Sequence, residues 1–174
     1  RNNLWSSSNH SYTGINSNNT TTVGMPIPYF EGFENTSNIS NSDWFITNDN
    51  SSGPEFQITS SASASGNKSV MLDNSQGITG NQDELISSAL NLSNMSSVSL
   101  TFKYAFAKRS NNNTDVLKIY ASKDCGATWF LRKNISSASI ATMANTTAPY
   151  TPVGNDWKTI SVPGISSSYF VSDF

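Results

Sequence analysis

Short apolar stretches alternate with turn residues along most of this chain, and within the stretches the period is two. In Asp115-Val116-Leu117-Lys118-Ile119-Tyr120-Ala121, Val116, Lys118 and Tyr120 point one way and Leu117, Ile119 and Ala121 the other, the signature of a strand. The same pattern predicts strands over residues 30–33, 44–47, 56–59, 69–72, 83–86, 97–105, 116–121, 128–133 and 157–162. Gly, Asn, Ser and Pro punctuate the intervals. Only residues 135–143 read as a short helix, diluted by Ser and Ile. Residues 100–106 and 116–121 read as central, well-paired strands, with Asn111-Asn112-Asn113 as the loop tip between them. Many short strands with frequent turns predict an all-β antiparallel sandwich or barrel.

One turn carries a recognisable motif. Ser122-Lys123-Asp124-Cys125-Gly126-Ala127-Thr128-Trp129 fits S-x-D-x-G-x-T-W, an Asp-box. Asp124 is placed to accept hydrogen bonds from turn N–H groups. Gly126 supplies a positive φ that a residue with a Cβ resists. Trp129 is expected to open the return strand and cover the turn with its ring. The motif predicts a hairpin and no chemistry, and a single copy argues against a propeller built from repeated boxes.

Composition narrows the function. The chain has 174 residues, enough for one domain with a real core plus a tail. Charged residues are 13% and the net charge is −2, so no basic field exists to hold nucleic acid or an anionic membrane. No apolar run approaches a membrane span. A single cysteine, Cys125, excludes an internal disulfide, and at a variable position of the Asp-box it reads as a turn thiol rather than a nucleophile. A disulfide-poor, strand-forming chain rich in Ser, Asn and Thr suits a secreted bacterial domain, and its opening at Arg1-Asn2-Asn3 reads as a piece of a longer precursor. Sequons such as those at Asn9, Asn35 and Asn38 follow from composition alone. Residues 1–25 read as an irregular tail, with Leu4 and Trp5 as its only strong apolar anchors and Asn16-Ser17-Asn18-Asn19-Thr20-Thr21-Thr22 as a linker; residues 26–174 read as the globular domain.

Several phrases in order add a resemblance. They are Pro28-Tyr29-Phe30-Glu31-Gly32-Phe33-Glu34, Trp44, Ser65-Gly66-Asn67-Lys68-Ser69, Asp83-Glu84-Leu85-Ile86-Ser87, Leu90-Asn91-Leu92-Ser93, Leu100-Thr101-Phe102-Lys103-Tyr104, the hairpin of residues 115–129, and Trp157-Lys158-Thr159-Ile160. Together they resemble the choice-of-anchor J and cleaved-adhesin domains, MAM-like jelly rolls of secreted Bacteroidetes proteins. That resemblance implies a jelly-roll β-sandwich of two antiparallel sheets. It also implies a closing strand that Val171-Ser172-Asp173-Phe174 stops short of, which would leave an open edge. The opening residues, from Arg1-Asn2-Asn3-Leu4-Trp5 through Thr13-Gly14, resemble the end of a pappalysin-type (cytophagalysin-like) zinc metalloprotease domain, after which adhesin-like sandwiches commonly follow.

Catalysis within this chain is not expected. A zincin needs H-E-x-x-H and a third ligand, and a serine triad also needs a histidine; the one histidine is His10, in the polar tail. Carboxylates such as Glu31, Glu34, Glu55, Asp83 and Glu84 are present, but nothing in the sequence sets two at a glycosidase distance. Calcium, with its six to eight oxygens, uses such groups better. The resembling domains imply a structural Ca²⁺ held by Glu34 and by carbonyls around Gly66 and Asn67, with Asp83 as an added candidate; the plain alternative leaves Glu34 a surface carboxylate on an edge strand. Trp44, Trp129 and Trp157, or Tyr104, Tyr120 and Tyr150, would serve a sugar only if exposed beside polar groups; otherwise they are core. The expected function is a non-catalytic, adhesin-like accessory domain of a secreted or cell-surface protein whose upstream part is a zinc metalloprotease, attaching it to extracellular protein or polysaccharide. A carbohydrate-binding module and a calcium-stabilised spacer are the alternatives.

Overall fold

A computed structural model describes residues 24–48, 53–75, 80–172 and 174. Tail features at Leu4, Trp5, Asn9, His10 and the linker of residues 16–22 lie outside the described residues. Among the described residues there are eight strands and no α-helix: β1 (Trp44–Asn48), β2 (Gln57–Thr59), β3 (Ser69–Met71), β4 (Asp83–Ser87), β5 (Leu100–Tyr104), β6 (Leu117–Ala121), β7 (Phe130–Ile135) and β8 (Lys158–Val162). Every pairing of these strands is antiparallel, and the described residues form an all-β unit.

The pairings are nested. β1 pairs with β4, from Trp44 opposite Ser87 to Asn48 opposite Asp83, and between them in sequence β2 pairs with β3. The second half repeats this scheme: β5 pairs with β8, from Leu100 opposite Val162 to Tyr104 opposite Lys158, around the β6–β7 hairpin. In that hairpin Ile119 faces Lys133 while Tyr120 faces Leu131, so Arg132 is the extra residue of a bulge. Its guanidinium lies over the Tyr169 ring, 5.3 Å from the centroid.

Three sequence expectations change. Residues 30–33 are not a strand, because Glu31 turns the chain on itself: its carboxylate accepts the Phe33 N–H, and Phe33 takes a left-handed φ of 60°. Residues 135–143 are not a helix. Ile135 ends β7, and a single turn follows in which the N–H groups of Ser139 and Ile140 both donate to Ser136 O at 2.9 Å. Serine hydroxyls compete with helical backbone bonds, and the chain then leaves to bind Phe106 O through Thr142 N–H at 2.8 Å. β5 and β6, expected as paired neighbours, are not paired with each other across the Asn111–Asn113 loop, and Thr146 N–H donates to Lys108 O at 2.8 Å. The backbone leaving β5 is taken by residues 142–146, and β5 itself pairs with β8.

The first and last described segments are sewn together. Gly24 N–H donates to Ser172 O, Met25 N–H to Ala89 O, and Asn91 N–H to Met25 O, each at 2.8 Å. Leu90 and Phe174 exchange two backbone bonds of 2.8 and 3.0 Å, and Leu92 N–H donates to Val171 O at 2.8 Å. The folded unit therefore includes Gly24 and Met25, which the sequence places in the tail, and Val171 and Phe174 are tied to Leu92 and Leu90. Below this seam, buried Ala121, Ile165 and Tyr169 pack with Val98, Phe170 and Phe174. Tyr169 meets Phe174 edge-on at 5.8 Å and Phe130 at 6.2 Å.

Candidate functional site: a cleft and the loop junction beside it

A cleft of about 630 Å³ opens between the segment Ser37–Ile46 and the segment Glu55–Ile58. One wall is the 3-10 turn Ile39–Asn41 with the start of β1; the other is β2 and the two residues before it. The turn is capped by Asn38, whose Oδ1 accepts from Asn41 N–H at 3.1 Å and Ser40 Oγ at 2.7 Å, and it is anchored by Ile39, which is buried. Trp44 and Phe45 contribute aromatic surface from β1, and Phe56 from the facing wall. Phe45 is 54% exposed, unusual for so large an apolar side chain on a strand. Asn38, Gln57, Ser37 and Ser40 add neutral polar groups, and Glu55 is the one ionisable side chain in the lining.

Trp44 is held in place. Its indole N–H donates to Tyr29 OH at 3.1 Å, and its ring packs on Phe33 at 6.0 Å and 53°. Tyr29 in turn donates to Glu31 Oε2 at 3.3 Å. Burial pushes the Tyr29 phenol up to about 12, so it keeps its proton and can accept from Trp44 while donating to Glu31. The sequence marks residues 30–33 as a strand; the segment 28–33 is instead the irregular support behind Trp44. Of the other aromatics offered for a ligand face, Tyr104, Tyr120, Tyr150, Trp129 and Trp157 are all half-buried, with burial raising the phenols of the three tyrosines.

The residues expected to hold calcium divide. Glu34, Gly66 and Asn67 do come together: Glu34 Oε1 accepts from the N–H groups of Asn67 at 2.9 Å and Lys68 at 3.0 Å. Gly66 makes this possible. Its φ is +64°, and a Cβ there would stand 2.3 Å from Glu34 Oε1. Asp83 stands on the β1–β4 pair, buried at the first position of β4 opposite Asn48. The atoms at the Glu34 junction do not fit calcium. The carboxylate oxygen is met by N–H donors, and the Gly66 carbonyl accepts the Ser63 hydroxyl at 2.8 Å. The carbonyls of Glu34 and Thr36 are taken by the Lys68 ammonium at 3.0 and 2.7 Å. A calcium ion needs six to eight oxygens turned towards it. Among the described residues no group of three or more His, Cys, Asp or Glu side chains is placed to hold a metal.

The Asp-box turn is built from its own side chains. Asp124 Oδ1 accepts from Ser122 Oγ at 2.7 Å and from Thr128 N–H at 2.8 Å, and Thr128 Oγ1 donates to Oδ2. Ser122 Oγ accepts from Gly126 N–H at 2.8 Å. Cys125 and Gly126 both take positive φ, 52° and 83°. Trp129 immediately precedes β7. Thr128, through its hydroxyl and then its N–H, and Ser122 hold the Asp124 carboxyl below its ordinary value of 3.8. Its contribution to stability is therefore present above that value and lost as pH falls through the lowered one. Asp124→Ala is expected to lower the melting temperature at neutral pH, and the gap to the parent chain should narrow in melts run progressively below pH 3.8.

Among the described residues, no helix is long and apolar enough to cross a membrane. Compared with protein-family models, with curated proteins and with solved structures, the chain matches none.

Proposed function

We propose that this chain is a non-catalytic, adhesin-like binding domain of a secreted multidomain bacterial protein, with a zinc metalloprotease upstream, and that it attaches that protein to a polysaccharide or protein surface. The observation that carries the reading is the cleft between β1 and β2, where the exposed Phe45 ring and the half-buried Trp44 and Phe56 rings sit beside neutral hydrogen-bonding side chains. Concave sites with apolar walls and a few convergent polar groups are the usual form of a ligand site. Sugars present C–H faces that stack on aromatic rings, and hydroxyls that pair with amides and Ser hydroxyls. The lining contains one acid and no base, which favours an uncharged glycan over an anionic one. The carbohydrate-binding reading is thus the one this cleft favours within the broader adhesin function.

The jelly-roll sandwich belongs to the same proposal. Each half of the chain pairs its first strand with its fourth and its second with its third, two of the contacts that a Greek key makes. Two Greek keys of four strands compose a jelly roll. The non-catalytic reading is supported by the single histidine, His10, which cannot supply the two histidines of H-E-x-x-H, and which a serine triad would have to draw from the polar N-terminal segment.

Retention of the chain in native gels cast with neutral polysaccharides tests this directly. Trp44→Ala and Phe45→Ala are each expected to weaken retention about tenfold, the equivalent of about 1.4 kcal/mol. Phe130→Ala, at an exposed aromatic on β7, should leave it unchanged. Retention that ignores both cleft substitutions would reject the cleft, and no retention by any glycan or matrix protein would favour a spacer.

A further inference from the structure

The loop that leads into the 3-10 turn and the loop that joins β2 to β3 meet at two reciprocal contacts. The carboxylate of Glu34, from the first loop, sits on successive N–H groups of Asn67 and Lys68 in the second. A left-handed glycine followed by two inward N–H groups forms a nest, which is an anion-binding concavity of the backbone, and Gly66 has that conformation. The ammonium of Lys68 reaches back and donates to Glu34 O at 3.0 Å and Thr36 O at 2.7 Å. Each charge is thus solvated by the other loop's backbone dipoles: the anion by N–H groups, the cation by carbonyls. Both loops are further shaped from within, by Ser69 Oγ to Ala62 O at 2.7 Å and Thr36 Oγ1 to Asn38 O at 2.7 Å.

We infer that Lys68 is the resident cation of this junction, standing where a metal ion would otherwise bridge the two loops, and that the domain closes there without metal. A lysine suits the position because its charge rides on a flexible four-carbon stem and offers three donors. Two donors are used on carbonyls that point inward from one loop. An ion at the same point would have to displace them. The junction flanks the cleft: residues 34–36 run into one wall, and the 60–68 loop continues from the other. The inference concerns folding alone and does not depend on what the cleft binds.

Thermal melts of the intact chain in millimolar calcium and in chelator test it. The expected result is identical curves for the parent chain, a midpoint lowered by several degrees in Lys68→Met, and a small change in Lys103→Met, whose side chain is exposed on β5. Lys68→Arg should recover part of the loss, since a guanidinium still donates to carbonyls. A parent chain whose midpoint rises with calcium, or Lys68→Met melting with the parent, would overturn the inference. Should Lys68→Met fail to fold, acylation of the parent chain by a small amine-reactive reagent gives a second readout. Lys68 should be modified several-fold more slowly than Lys103, and equal rates would overturn the inference.

Discussion

Leu92→Ala is expected to lower the stability by about 3 kcal/mol, within the range for deleting a fully buried leucine. Leu92 has no exposed surface, and it lies in the connection between β4 and β5, outside any strand. Its backbone is committed on both sides: the N–H to Val171 O at 2.8 Å, the carbonyl to Met95 N–H at 3.0 Å. A side chain whose backbone is pinned cannot follow a shrinking neighbour, so the cavity collapses poorly and the cost stays high. Equilibrium urea unfolding is the measurement. The midpoint should fall with the slope unchanged, since the same surface is exposed on unfolding. Leu100→Ala on β5, at a leucine 40% exposed, should shift it far less. A Leu92→Ala midpoint no lower than that of Leu100→Ala would mean that the seam of residues 90–92 with Val171 and Phe174 is not part of the cooperative unit.

The local features of this fold were legible because strand alternation and turn chemistry are local. Eight of the nine expected strands occur, most with ends displaced by one to three residues, and the Asp-box closes through the side chains its spacing implies. What the pattern could not carry is pairing. β1 with β4 and β5 with β8 are brought together by long connections, and alternation within a strand says nothing of its partner. The strand expected at residues 30–33 failed because Glu31 makes a short-range bond to Phe33 N–H that competes with extension. The helix expected at residues 135–143 failed because Ser136 and Ser139 terminate it and Thr142 finds Phe106.

The site divides in the same way. The sequence and its resemblance brought Glu34 towards Gly66 and Asn67, and those residues do meet. The role inferred for Lys68 has a signal in the sequence, a lysine directly after Gly66-Asn67. Its side chain returns to the carbonyls of the loop whose carboxylate its own N–H holds, a reciprocity between residues more than thirty positions apart that only the folded chain displays. Trp44 was read chiefly as core. Its support by Tyr29 spans fifteen residues and has no periodicity to announce it.

Gly24→Ala should be about as costly as the loss of Leu92, and for the opposite reason. A Cβ at Gly24 would stand 2.6 Å from Leu90 C, 2.7 Å from Ser172 O and 2.9 Å from Ala89 C. All three are backbone atoms, so no rotamer change relieves the contact, and Gly24 would have to separate from residues 89–90 and Ser172. Separation breaks the Gly24 N–H bond to Ser172 and strains those of Met25 with Ala89 and Asn91. Overpacking of this kind costs about 1–3 kcal/mol or more, with the upper end expected where backbone must move. Gly32→Ala makes the control, because the nearest atoms there are side-chain carbons at 3.4 Å or beyond. The expected result is a melting temperature lowered by many degrees for Gly24→Ala and hardly at all for Gly32→Ala. Amide hydrogen exchange should locate the damage: Met25, Leu90 and Asn91 should lose protection before the β6–β7 hairpin does. Unchanged protection at those amides would place Gly24 outside the folded unit and return the boundary to the tail. Protection lost there, with β6–β7 intact, would show that the first described residues close the domain.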